Sequence, residues 1–164
     1  MKQDFLKIRE FLDSNKVQYE IIEHEPVYTS EDAARVRNAD LKIGAKSMVI
    51  RSEGKFYNFV LSAAKKIDWL KVKSILHTKS ASLASPEEVL NAINCEIGSV
   101  PPFGNLYNIK LYCDPSLLEN EEIEFNAGLH TISIRMKSKD WKNLVNPEII
   151  DFTKKIKIIS LHHP

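Results

Sequence analysis

Gly98-Ser99-Val100-Pro101-Pro102-Phe103-Gly104 sets two adjacent prolines and an aromatic residue between two glycines. Proline fixes φ and lacks an N–H, whereas glycine permits φ > 0 and close backbone approach. The stretch therefore reads as a stiff loop presenting main-chain groups. Alone it fits a pocket wall and equally a tight turn between a helix and a strand, because Pro and Gly are the commonest turn residues. Its flanks set the fold class.

Upstream, Ser85-Pro86-Glu87-Glu88 combines a serine N-cap, a proline at the first helical position and a glutamate at the third. This capping box predicts a helix to about Ile93. That helix leads through Cys95-Glu96-Ile97 into the loop, and Ile109 to Cys113 resumes strand character before Asp114-Pro115 turns the chain. Farther back, apolar Phe5, Ile8, Phe11 and Leu12 recur at helical spacing, and Val17 to Glu23 alternates as a strand up to His24-Glu25-Pro26. Thr29 and Ser30 precede a short helix over 31–36 with its boundary at Asn38. Ser47 to Arg51 and Lys55 to Leu61, joined by Ser52-Glu53-Gly54, predict a central hairpin. Asp68 caps a helix whose Trp69, Val72, Ile75 and Leu76 share one face, which points to core packing for the tryptophan. Beyond an acidic loop, Ile123 to Phe125 and Thr131 to Met136 read as strands flanking a loop, Asn126-Ala127-Gly128-Leu129-His130, a second candidate pocket segment. Asp140 to Val145 reads as a helix and Ile156 to Leu161 as a last strand. The expectation is a single α/β (α+β) domain over residues 1–164, with a mixed sheet flanked by helices.

A length of 164 residues lets roughly 70% of the unfolded chain's surface be buried. Apolar residues make up 43% and charged residues 27%, the balance of a folded chain rather than a disordered one. A net charge of +1 advertises no global basic field, so any nucleic-acid contact must be local. Cys95 and Cys113 form no C-x-x-C pair, and the sequence shows neither a signal peptide nor a membrane-spanning apolar run. The cytoplasm is the expected compartment. Isolated cysteines of this kind are usually buried small hydrophobes rather than nucleophiles.

Most catalytic templates fail: no G-x-S-x-G elbow, P-loop, H-E-x-x-H, EF-hand loop or dinucleotide-binding glycine motif is present. The histidines at 24, 77, 130, 162 and 163 lack metal-ligand spacing except for the terminal pair, so no metal or cofactor is assigned. Lys46, within Gly44-Ala45-Lys46-Ser47 at the mouth of an apolar strand, is placed to reach an anionic group, although strand-end lysines are commonly solvated gatekeepers.

Together these pieces form an ordered set: His24-x-Pro26-x-x-Thr29 with Ala33-Ala34, Ala45-Lys46-Ser47-Met48-Val49, Ser85-Pro86-Glu87-Glu88-Val89, Gly98-x-x-x-Pro102-Phe103-Gly104 and Gly128-x-His130. The set resembles the YbaK/prolyl-tRNA synthetase editing-domain family over roughly residues 17 to 145. The resemblance implies a sheet curled toward a barrel, and hydrolysis of the ester joining a wrong amino acid to the 3′ end of a tRNA. That tRNA is often tRNA-Pro, and the amino acid a small one such as Ala or Cys. Lys46 matches the family's signature lysine, and the Gly98 segment, with Pro101, Pro102, Phe103 and Gly104, matches the loop whose backbone grips the substrate. Gly128 and His130 match a further wall, while His24, Pro26, Thr29 and Ser47 complete the substrate-binding set. No side chain need be the nucleophile, because water helped by the vicinal ribose hydroxyl attacks the ester. The chain resembles a trans-acting member, for which an aminoacyl-tRNA synthetase such as prolyl-tRNA synthetase is a candidate partner and no membrane is involved. The rival expectation is a noncatalytic module that binds an aminoacylated 3′ end or a small ligand in the same pocket.

Overall fold

The computed structural model describes residues 2–37 and 40–155. The apolar stripe at the N-terminus forms α1 (Lys2–Ser14), which buries Phe5, Ile8 and Leu12. After β1 (Tyr19–Glu23), α2 (Ser30–Arg37) begins where the Thr29 hydroxyl accepts the Asp32 N–H. The expected hairpin is β2 (Ala45–Ser52) and β3 (Lys55–Ser62), reversed by Glu53 and Gly54 at φ 51° and 77°. Asp68 caps α3 (Trp69–Ile75) by accepting from the Leu70 and Lys71 N–H groups, and Trp69 packs half-buried against the cluster around Val72 and Phe59. β4 (Ser82–Leu83) is a short addition beside β2. The Ser85 capping box opens α4 (Pro86–Ile93) as read from the sequence, and Asn94 ends it in the left-handed conformation. There follow β5 (Lys110–Cys113), β6 (Glu122–Leu129), β7 (Ile132–Lys137), α5 (Ser138–Val145) and β8 (Glu148–Ile149).

The segment expected to be a loop between two strands is instead the end of a strand. β6 continues through Asn126 to Leu129, with a register shift: Asn126 faces Ser133 and Leu129 faces Ile132. Ala127 and Gly128 are the extra residues of this bulge, and Gly128 takes φ 89°, which glycine adopts without strain. The strand expected at 156–161 and the boundary at Asn38 lie outside the described residues.

Among the described residues the strands form two sheets, one in the antiparallel order β1-β7-β6 and one in the mixed order β4-β2-β3-β5-β8. The mixed α/β class agrees with expectation, but the sheets do not close into a barrel. Gly44, just before β2, makes a parallel bridge with Glu124 of β6, and the two strands then separate. The physical reason is that the far edge of β2 next pairs with β4, at Ile50 and Arg51, while the bulge bends β6. The main core fills the space between the three-stranded sheet, α1 and α5, with Trp141, Phe125 and Phe103 at its centre.

Pro101 to Gly104 belong to that core. Phe103 is fully buried against Phe125 and Phe11, and the Pro102 carbonyl accepts the Trp141 indole N–H at 2.9 Å. A Cβ on Gly104 would lie 2.8 Å from the Ile109 carbonyl oxygen and 3.2 Å from Leu111 Cβ. Gly104→Ala is accordingly expected to destabilise the fold by about 1–3 kcal/mol, because backbone must shift to admit the methyl group. Denaturant melts check this, and an unchanged midpoint would show that the close approach carries no energetic weight.

Candidate active site

The separation of β2 from β6 opens a cavity of about 270 Å³. Ala45 to Val49 of β2 form one wall, Phe125 and Asn126 of β6 another, and Ile97, Gly98 and Val100 a third. Tyr28, Thr29 and Ala33 close it from the α2 side, and Val89 of α4 from below. Apolar walls with a few polar groups suit a small organic ligand.

Hydrogen-bond parity decides which main-chain groups of β2 face the cavity. Antiparallel pairing engages alternate residues. The Gly44 carbonyl accepts from Ala63 on the β3 side, and the Val49 carbonyl accepts from Ala84 on the opposite edge. Ser47 shares the parity of Val49, so its N–H and C=O lie on the edge away from β3, along the cavity. Its Oγ accepts from Asn58 Nδ2 at 2.9 Å, and among the described residues its hydroxyl proton meets no acceptor.

Lys46 lines the cavity at its β2 wall, half-buried, and its ammonium donates to the Lys65 carbonyl at 2.7 Å. One acceptor occupies one of three donors. Burial lowers its pKa from the ordinary lysine value; the Glu31 carboxylate opposes that shift and Lys66 reinforces it.

Gly98 lies at the surface with φ 87°, and a Cβ there would sit 3.5 Å from His130 Cε1 and 3.9 Å from the Tyr28 carbonyl oxygen. The loop is tethered to the bulged strand. Asn126 Nδ2 donates to the Gly98 carbonyl at 2.7 Å, and the Gly128 N–H donates to the Ser99 carbonyl at 3.0 Å. Among the described residues the N–H groups of Gly98 and Val100 meet no acceptor. Both residues line the cavity, so these donors are available to a developing oxyanion.

The other residues singled out from the sequence separate by depth. Thr29, Lys46, Ser47 and Gly98 line the cavity together. Pro101, Pro102, Phe103 and Gly104 do not; they are buried behind the loop and hold it from the core. Gly128 supports the loop through its N–H rather than facing the cavity. His130 is a bracket: Nδ1 faces the Val27 carbonyl at 2.9 Å, Nε2 faces the Glu96 carboxylate at 3.1 Å, and the ring packs on Tyr28 at 4.5 Å. It thereby joins the two sides of the cavity mouth from outside. His24 stands farther off, with Nδ1 on the Glu25 carbonyl at 2.7 Å, and Pro26 is exposed beside it. Both cysteines are buried. Burial raises the Cys95 thiol and pushes Cys113 up to about 12, so neither supplies a thiolate at neutral pH.

Asn126 and Tyr28 were not assigned from the sequence, although Asn126 fell within the second candidate segment. Tyr28 sits between Pro26 and Thr29, both in the ordered set, and an aromatic left 70% exposed beside a cavity signals a ligand-facing role.

A family model described as an aminoacyl-tRNA editing domain matches residues 24–144. The multifunctional Ser/Thr-tRNA deacylase ProXp-y of Escherichia coli (strain K12) is 32% identical over 148 residues, covering 87% of this chain and 89% of that protein. The prolyl-tRNA editing protein ProX of Acetoanaerobium sticklandii is 23% identical, covering 82% of this chain and 85% of its own length. A crystal structure described as a candidate trans-editing enzyme for prolyl tRNA synthetase superposes with a TM-score of 0.81 over 93% of this chain and 98% of that one, at 23% identity. That likeness bears on the fold.

Proposed function

The chain belongs to the aminoacyl-tRNA editing domain family, and we propose on that premise that its cavity hydrolyses the ester between a small amino acid and the 3′ ribose of a mischarged tRNA. The observation that carries this reading is the meeting of Lys46 and the Gly98 loop, with its open N–H donors, on one small cavity. An aminoacyl ester is already activated, so positioning and oxyanion stabilisation supply the needed rate without a nucleophilic side chain. Water adds to the ester carbonyl, and the Gly98 and Val100 N–H groups receive the charge that develops on its oxygen. The bond to the ribose oxygen then breaks, that oxygen leaves with a proton from the attacking water, and the amino acid departs as its carboxylate with a proton released to solvent. Lys46 holds the terminal phosphate or ribose.

The substrate is a tRNA carrying Ser or Thr, with tRNA-Pro carrying Ala or Cys as the neighbouring possibility. The name of the E. coli relative supports the first choice, and so does the Ser47 hydroxyl at the cavity wall, whose proton meets no acceptor among the described residues. A site built to hydrogen-bond a hydroxyl discriminates far more strongly than one measuring a methylene, which is worth only about 1–3 kcal/mol. Prolyl-tRNA synthetase is the proposed partner for holding tRNA, since net charge near zero gives this chain little hold of its own. The test is a deacylation panel with tRNAs bearing Ser, Thr, Ala, Cys and Pro. Turnover of Ser and Thr esters above the rest supports the proposal. Preference for Ala or Cys moves the specificity to tRNA-Pro, and no turnover on any ester overturns the enzymatic reading.

A further inference from the structure

Two successive peptide planes of the Gly98 loop are held by their carbonyls on the bulged strand β6. The Gly98–Ser99 peptide has its carbonyl on Asn126 Nδ2 at 2.7 Å and its N–H on the Glu96 carbonyl at 3.0 Å. The Ser99–Val100 peptide has its carbonyl on the Gly128 N–H, and its own N–H, that of Val100, is an open donor. In a trans peptide the C=O and N–H point in opposite directions, so anchoring one end aims the other. The amide of Asn126 is itself oriented. Its Oδ1 accepts from Ser133 Oγ at 3.3 Å, and reversing the amide would set two carbonyl oxygens 2.7 Å apart at Gly98. Ser133 is fully buried on β7, does not line the cavity, and lies with its Oγ 2.8 Å from His24 Nε2.

We propose that Asn126 is a positioning residue of the deacylation site, held by Ser133 and holding the Gly98 carbonyl, so that this side-chain chain fixes the Gly98–Ser99 peptide plane that lies between the two open donors, the Gly98 and Val100 N–H groups. The proposal rests on the deacylase reading above. It gives His24, which stands away from the cavity, a place as the outer end of the same chain. The titratable groups around Asn126 are the Glu124–Arg135 ion pair two residues along β6 and β7, Glu96 on the loop with its partner His130, His24 just past β1, and Lys46 on the β2 wall of the same cavity.

The experiment uses the full chain and its Asn126→Ala, Asn126→Asp, Ser133→Ala and double-alanine variants. Two measurements are made: single-turnover deacylation at saturating seryl-tRNA, and hydrogen exchange of the Ser99 and Gly128 amides, which the loop's own hydrogen bonds engage. Asn126→Ala is expected to slow the chemical step about tenfold and Ser133→Ala about threefold, since lost orientation rather than lost contact is at stake. The double variant is expected to be no slower than Asn126→Ala alone, because Ser133 acts through Asn126. Both amides exchange faster in each variant while melting temperatures stay close to that of the parent. In Asn126→Asp an ionised carboxylate cannot donate to the Gly98 carbonyl, and activity returns on acidification as the side chain regains a proton to donate. Additive losses in the double variant, or loop exchange unchanged in Asn126→Ala, overturn the proposal. If the parent hydrolyses no charged tRNA the deacylase reading falls, and the exchange measurement still decides whether Asn126 holds the loop.

Discussion

Lys46→Ala is expected to slow single-turnover deacylation by about tenfold to a hundredfold, the loss of one charge-assisted contact of about 1.5–3 kcal/mol. The lysine lines the cavity with two N–H donors beyond the one given to Lys65, so an anionic substrate group finds a partner already in place. The fold is expected to tolerate the change, because the lost hydrogen bond and the relieved burial of a charge act in opposite directions. Lys46→Arg keeps the charge but carries a planar fork that the Lys65 carbonyl does not match, and it should recover part of the rate. The pH dependence gives a second reading. Burial lowers the Lys46 pKa, so its charge is lost below the ordinary lysine range, and rate above the spontaneous alkaline hydrolysis of the ester declines there. Stability moves the other way. With the folded pKa depressed, the unfolded chain binds more protons at this position between the folded and unfolded values, and stability rises with pH across that interval. Both trends vanish in Lys46→Arg. Undiminished rates in Lys46→Ala would remove the residue from the mechanism.

Gly98→Val is expected to abolish measurable deacylation, a loss of about a hundredfold or more, since misplacement of about 1 Å near the chemistry has costs of that order. Two effects combine. The position sits at φ 87°, which a β-branched residue adopts only under strain, and a Cβ would already be in van der Waals contact with His130 Cε1, so that the two further methyl groups of valine crowd the cavity mouth. The cheapest relief is for the loop to leave this conformation, which undoes its hydrogen bonds to Asn126 and Gly128. Gly98 is exposed and the core hold lies at Phe103 and Gly104, so the thermal transition should shift little. Parent-like turnover by a folded Gly98→Val protein would show that the loop's backbone geometry does not select substrate.

Local signals were legible where one residue type admits one conformation. The Ser85 capping box and the Asp68 cap each name a helix start by a specific hydrogen bond, the Glu53-Gly54 reversal names a turn by its positive φ angles, and each stands in the structure. The Gly98 to Gly104 stretch was legible as stiff, but its composition does not say which half faces solvent. Glycine at 98 meets a φ requirement beside the cavity, whereas glycine at 104 meets a contact with the Ile109 carbonyl, a residue whose proximity no local pattern reveals. The bulge in β6 was hidden for a related reason. Asn126-Ala127-Gly128 has the composition of a turn, and only the pairing of Asn126 with Ser133 and of Leu129 with Ile132 shows that the strand continues through it. The roles of Asn126 and the Glu96–His130 contact follow from that register, which depends on cross-strand packing and not on either strand alone.

The bond from the Trp141 indole to the Pro102 carbonyl gives the protein a native optical reporter. The chain has two tryptophans, and Trp141 alone is fully enclosed, with its N–H on the buried root of the segment that carries Gly98. Trp69 sits half-exposed on α3, in a separate apolar cluster. With Trp69 replaced by phenylalanine, the emission maximum and quenching of the remaining indole register whether that root stays seated, so the loop's core attachment can be followed without a label.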